Sequence, residues 1–389
     1  MNERSAFGER LCRQIEIGDV DKVRSLLQIY GQPDNGFDIN DPCNPGAYAP
    51  ISPLTMALLA NDPAMVSLIL RQPGLDVARS LPHYDTWLWV RSASLETLRL
   101  FLAHPGDALN LADGNGKTAL HEAVAHGVDA AKVDCLLEHE AAADPTQNDG
   151  TTPLYRSALS GNVAAAEALM RYPVDVNNRN SDNLWTVLMV AVAEDSPQIV
   201  KLLLARDDVD VNARSDVMET ALHIAADRGY VSSVKLLLER RDIRVNEKNR
   251  SGWTPLTKAA FAGHVEIVKV LCARKDVALN AVDQDRQTAL HWAVLAGNIE
   301  VVRVLLKQPE INVSLTNRPQ MQTAYDLALA MHYDAIADLL RLRAAAGESE
   351  DELSPDDVYE PRQTEDSARF PIMPAIADPP RSRPSKRRE

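Results

Sequence analysis

A threonine two residues ahead of a leucine returns at Thr118, Thr152, Thr186, Thr220, Thr254 and Thr288, always at a step of 34 residues. The phrases read Thr118-Ala-Leu-His121, Thr152-Pro-Leu-Tyr155, Thr186-Val-Leu-Met189, Thr220-Ala-Leu-His223, Thr254-Pro-Leu-Thr257 and Thr288-Ala-Leu-His291. Self-similarity at a fixed period of this length marks stacked supersecondary units. Such an array buries its core only between neighbours and leaves a long open surface, which favours binding over catalysis. One solenoid also absorbs most of a 389-residue chain that length alone would divide into two or three domains.

Residues 249–281 give the anatomy of one unit. Asn249-Arg-Ser-Gly252-Trp253 has turn chemistry, with glycine free to take positive φ. Thr254 is placed to cap a helix, and Pro255 at its first position loses no useful N–H. Leu256, Ala259 and Ala260 follow at helical spacing, and Gly263-His264 ends the helix. Val265, Ile267, Val268, Val270 and Leu271 form a second, more apolar helix before an extended loop through Asp276 to Asn280.

These phrases resemble the ankyrin repeat, whose pattern runs Asp-x-x-Gly-x-Thr-Pro-Leu-His-x-Ala-Ala-x-x-Gly-His. Asp113-Gly-Asn-Gly-Lys-Thr-Ala-Leu-His121-Glu-Ala123, Thr220 through Ala226 with Gly229, and Thr288 through Ala293 with Gly297 carry the match. Tetratricopeptide repeats share the period, but their Trp-Leu-Gly-Tyr pattern is absent. The resemblance implies an all-α repeat solenoid, each repeat a β-hairpin loop plus two antiparallel helices. It covers residues 5–345 in about ten repeats. Residues 1–110 are degenerate: Leu11 to Leu27, Ser52 to Leu70 and Thr86 to Phe101 keep only parts of the pattern, and residues 32–51 form an inserted loop. Thr323-Ala-Tyr-Asp-Leu-Ala328 opens a closing repeat. Residues 346–389 form an acidic, proline-rich tail that ends in a basic cluster and buries too little apolar surface to fold alone.

Hydrophobic residues at 45% with aromatics at only 5% suit small-on-large helix packing. A net charge of −14, with no basic stripe inside the repeats, counts against direct nucleic-acid binding. Cys12, Cys43, Cys135 and Cys272 show neither zinc spacing nor a disulfide framework, and isolated thiols suit a reducing compartment. The N-terminus lacks a signal core, and the apolar runs fall short of the roughly 18 residues a membrane span needs. The expectation is an intracellular chain, in nucleus or cytoplasm, with protein partners and no membrane, cofactor, metal or small-molecule substrate.

His121, His223 and His291 recur in register, and the resemblance assigns them to hydrogen bonding of the turn backbone rather than to catalysis. There is no nucleophile–base set and no phosphate loop, since Gly114 and Gly116 lack the strand and third glycine of a dinucleotide fingerprint. The chain therefore reads as a non-enzyme. The resemblance places binding on the hairpin tips and the outward face of the first helices. At the tips this selects Asp182, Asn183, Trp185, Glu219, Arg250 and Trp253, and on the helix face His126, Ser160, Glu194, Asp227, Arg228, Phe261 and Leu295. Trp185 and Trp253 lie two repeats apart, roughly 20 Å at about 10 Å per packed layer, and are the expected anchors. Phe261 with Leu295 is the second apolar candidate. Leu184, Met218 and Arg286 replace the turn glycine, so less regular hairpins are expected there.

In the tail, Arg381, Arg383, Lys386, Arg387 and Arg388 could serve as a nuclear-import signal, with Ser354 and Ser385 as phosphorylation sites that would change local charge. The reading that follows is a protein-interaction scaffold or adaptor, binding basic or mixed surfaces faster at low salt. The alternatives are a nuclear transcription co-regulator that holds a DNA-binding factor and a ubiquitin-ligase substrate adaptor.

Overall fold

The computed structural model describes residues 3–30, 38–42, 51–81, 89–104, 107–125 and 129–348. The expected anchors of the degenerate segment at Thr86 and Trp87, most of the 32–51 insertion, His126 and the tail from 349 onward lie outside the described residues. The chain divides into two units, Met1–Ala344 and Ala345–Glu389.

The first unit is built from helices that fold back in pairs. They are α1 (Glu3–Ile17) with α2 (Val20–Tyr30), α3 (Pro53–Ala60) with α4 (Pro63–Leu70), the short α5 (Val77–Ser80), and α6 (Trp89–Ser92) with α7 (Leu95–Leu102). Next come α8 (Ala119–Val124) with α9 (Ala130–Glu138), α10 (Pro153–Leu159) with α11 (Val163–Leu169), and α12 (Val187–Ala193) with α13 (Pro197–Leu204). The series ends with α14 (Ala221–Arg228) and α15 (Val231–Glu239), α16 (Pro255–Ala262) and α17 (Val265–Cys272), α18 (Ala289–Leu295) and α19 (Ile299–Leu306), then α20 (Ala324–Ala330) and α21 (Asp334–Glu348). First helices stack on first helices from α8 to α20, and second helices on second helices from α7 to α19. One apolar core runs between the two layers from Phe7 to Leu340.

Five of the six phrase threonines do what their chemistry predicts. Thr152, Thr186, Thr220, Thr254 and Thr288 stand in extended backbone and accept from the N–H three residues on, at 3.2–3.4 Å. Helices of six to nine residues are marginal in water, so this cap and the stacking, not propensity, hold them. Gly229 ends α14 at φ 80°, and the turn also needs its missing side chain. A Cβ there would sit 2.7 Å from the ring of His264, whose Nε2–H donates to the Asp227 carbonyl at 2.8 Å. Asn298, one repeat on, does the same work with bonds to the Ala260 and Phe261 carbonyls at 3.0 and 2.9 Å.

The hairpin loops are turns rather than paired strands: among the described residues the only β-pairing is the isolated antiparallel bridge between Arg179 and Thr186. The reason is that the tips bond sideways. Asn148 N–H reaches Asn115 O, Ser181 N–H reaches Asp149 O, Asp216 N–H reaches Asn183 O and Arg250 N–H reaches Val217 O, at 2.8–3.0 Å. The expectation of irregular hairpins at the replaced glycines is corrected for two of the three. Met218 and Arg286 hold left-handed φ of 63° and 56° and close the same turn as Gly252 at 83°. At Leu184 (φ 56°) the closing bond runs from Asn180 N–H to Trp185 O, one residue wider than its neighbours.

A second ladder runs along the outer loops. Asn177, Asn212, Asn246 and Asn280 each donate to one backbone carbonyl of the next loop and accept from one N–H, at 2.6–2.8 Å. In the same row Arg206, Arg240 and Arg274 form bidentate pairs with Asp208, Asp242 and Asp276. Arg240 and Arg274 also donate to carbonyls at the end of the preceding second helix. At Asp144 the ladder falters. Its carboxylate accepts from Asp175 N–H at 2.9 Å but has no proton to donate, and its other oxygen is buried without a hydrogen-bond partner. Burial raises its pKa, against the Asp175 hydrogen bond. Asp144→Asn supplies the missing donor, so the urea midpoint should rise by the equivalent of about 1 kcal/mol. A lowered midpoint would show that the carboxylate is the better fit.

The thiol expectation holds for Cys135 and Cys272, which are free, and fails for Cys12, which is disulfide-bonded. Among the described residues no helix is long and apolar enough to cross a membrane.

Candidate functional site

The phrase register sets which side chains meet on the first-helix layer. The residue just before the threonine of one repeat faces the residue four past the threonine of the next, a step of 39 residues. Glu219 and Lys258 are one such pair, and Trp253 and Trp292 are the next.

Lys258, on α16 and largely buried, extends its ammonium to the Glu219 carboxylate at 2.8 Å and to the Asp227 carboxylate at 3.6 Å. The same ammonium lies 5.7 Å from the centre of the Trp253 ring. Burial works against ionisation of Glu219. The Lys258 charge and hydrogen bonds from Lys258 and Asn249 outweigh it, and the carboxyl titrates below its ordinary value. Three aromatic rings pack beside this ion cluster. Trp253 meets Trp292 at 4.5 Å and Phe261 at 5.3 Å, and Phe261 meets Trp292 edge-on at 5.6 Å. Trp292 is 9% exposed, and its indole N–H donates to Asp283 at 2.8 Å. Asp283 also accepts from Asp285 N–H and Gln287 N–H, so one buried carboxylate fixes both the hairpin and the ring. Trp253 and Phe261 remain half-buried. The site is thus a partly open aromatic face on a buried base, bordered by an acid–base–acid cluster in which one ammonium serves two carboxylates.

The sequence candidates divide accordingly. Glu219, Asp227, Trp253 and Phe261 come together here. Arg250 lies at the adjoining tip and donates to the Asp216 carbonyl at 2.5 Å, and Arg228 reaches back to the Ala193 carbonyl at 3.4 Å. Asp182 is exposed, while Asn183 is spent on the turn, accepting from Trp185 N–H at 3.2 Å. Trp185 does not join the aromatic group: it packs half-buried against the core, and the 39-residue step that gives Trp253 a tryptophan gives Trp185 the buried Ile224. Leu295 likewise packs half-buried against the core, and Phe261 meets the ring of Trp292. Trp292 and Lys258 were missed. The signal was present, since both stand four residues past a phrase threonine and break a row otherwise held by Glu122, Arg156, Val190 and Ile224. The import candidates Arg381, Arg383, Lys386, Arg387 and Arg388 lie outside the described residues.

The in-register histidines are structural. Thr220 N–H donates to His223 Nδ1 at 3.2 Å, which leaves the ring proton on Nε2, and that N–H donates to the Trp253 carbonyl at 3.0 Å. His121 repeats the arrangement with Thr118 and the Thr151 carbonyl. Burial lowers the pKa of both to about 4. Among the described residues no group of three or more His, Cys, Asp or Glu side chains is placed to hold a metal ion.

Comparison with known proteins agrees with this architecture. The family described as Ankyrin repeats (3 copies) matches residues 87–180, 172–249 and 222–317, more than half of the chain. A putative ankyrin repeat protein of fowlpox virus is 35% identical over 94 residues, which is 23% of this chain and 27% of that protein. The nuclear factor NF-kappa-B p105 subunit of Gallus gallus is 28% identical over 115 residues, 29% of this chain and 12% of that protein. The chain therefore spans about a quarter of one relative's length and about an eighth of the other's.

Proposed function

The chain belongs to the ankyrin-repeat family, whose arrays generally mediate protein–protein interaction, and from that premise we propose that it is a non-enzymatic scaffold or adaptor that grips a partner protein on the first-helix layer around α14, α16 and α18. The observation that carries the reading is the half-buried pair Trp253 and Phe261 packed on buried Trp292. Aromatic anchors in a preformed setting dominate interface energetics. Because Asp283 and the Lys258 cluster already fix the rings, little side-chain freedom is lost on binding.

The test is capture from native cells with tagged full-length protein, followed by mass spectrometry. Trp253→Ala combined with Phe261→Ala should remove about 2 kcal/mol or more, at least about a thirtyfold loss in affinity, and the captured set should vanish while the helical dichroism stays. Retention of the same partners by the double variant overturns the reading.

A second reading, a nuclear co-regulator that holds a DNA-binding factor, draws on the likeness to the NF-kappa-B p105 subunit and on the basic cluster Arg381 to Arg388. The same capture separates the two. DNA-binding factors among the partners support the co-regulator. Ubiquitin-ligase subunits would point to a substrate adaptor instead.

A further inference from the structure

The tip position two residues before the phrase threonine is left-handed in successive repeats, and the chain fills it with Gly116, Gly150 and Gly252 in three of them. In two consecutive repeats between these it places Leu184 and Met218, at φ 56° and 63°. A side chain in this conformation is strained by about 1 kcal/mol, and here burial does not offset it. Leu184 is 43% exposed, Met218 38% and its neighbour Val217 39%. The two tips are tied together by the bond from Asp216 N–H to Asn183 O, so the three apolar groups belong to adjacent, rigidly linked turns. Single exposed apolar residues need no explanation; a group on adjoining tips in strained backbone does.

The charges around the group select the occupant. Asp182 and Asp216 are exposed on the same tips, and neither forms an ion pair among the described residues. The neighbouring cation Arg250 is already directed at the Asp216 carbonyl. We propose that the linked tips carrying Leu184, Val217 and Met218 are the docking ridge for a segment of a partner protein that bears apolar side chains flanked by lysine or arginine. The ridge extends the binding layer of the preceding subsection along the array, rests on that reading, and names its partner's chemistry.

The test uses the full-length protein and fluorescent synthetic peptides: a lysine–leucine amphipathic peptide, its glutamate–leucine counterpart, and a lysine–alanine version. The lysine–leucine peptide should bind and weaken by at least about tenfold on raising salt, as expected where charges steer the complex. The other two should not bind. Leu184→Gly with Met218→Gly should cost at least about tenfold in affinity while the urea midpoint stays or rises, because glycine suits the left-handed backbone. A lowered midpoint would mean that these side chains serve the fold and overturns the proposal. So would unchanged peptide affinity in the double variant, equal binding of the glutamate peptide, or no binding at all. If Trp253→Ala with Phe261→Ala abolishes peptide binding and the glycine pair does not, the ridge is wrong and the aromatic reading stands.

Discussion

Acidification from pH 6.5 toward pH 4 strips stability from the array, on the order of 3 kcal/mol from each of His121 and His223 at the lower limit. The rings are held neutral: each Nδ1 accepts from a threonine N–H and each Nε2–H bridges to the next hairpin. Burial lowers both folded-state values from 6.5 to about 4, so below 6.5 the unfolded chain takes up protons that the folded chain refuses. The stabilisation is complete above pH 6.5 and is lost as pH falls toward about 4. His291 is lowered by burial in the same sense. Asp144, raised by burial, opposes the trend as a single group, and Glu219, lowered, adds to it only at more acid pH. Urea midpoints across this range check the effect. The histidine origin is isolated by His223→Thr, which copies the Thr254–Thr257 pairing of the next repeat. That variant should be weaker at neutral pH and less sensitive to acid. A flat profile in the wild-type protein, or unchanged slope in the variant, sinks the assignment.

Leu222→Ala should remove about 3–5 kcal/mol, and remove it locally. Leu222 is 0% exposed and lies on α14, between α12 and α16 in the first-helix stack. Truncation loses the transfer energy of the side chain and leaves a cavity that stiff neighbours cannot fill. In an array each repeat leans only on its neighbours, so the weak point lies in the middle and the two flanks are uncoupled. Hydrogen exchange should therefore rise first in α12 to α17, with α8 to α11 still protected. Uniform loss of protection would show that the stack melts as one cooperative block.

The short-range chemistry was legible in the sequence. The threonine cap, the proline at the first helical position, the glycine or asparagine turn between helices and the two-layer stacking all follow from groups within a few residues of one another. The period then copies them along the chain. The roles of His121 and His223 were also legible, because one partner sits three residues away in the phrase and the other recurs 30 residues on, in the next hairpin. The hairpins were less legible. The left-handed torsion at Met218 and Arg286 is imposed by sideways bonds between tips, which override the local preference for glycine.

What the sequence by itself determined is the repeat: its period, its caps and the alternation of first and second helices, all products of local hydrogen bonding and hydrophobic periodicity. What only the tertiary structure decided is which side chains of different repeats share a surface. Trp185 and Trp253 occupy the same place in the phrase, yet one settles against the core and the other heads an aromatic cluster. The ring that Trp253 meets, Trp292, stands 39 positions on and is brought opposite only when helices stack. Lys258 between Glu219 and Asp227, and Leu184 beside Val217 and Met218, arise in the same way. Stacking sets the lateral register of neighbouring repeats, and that register, not the phrase, assembles the surface on which a partner would bind.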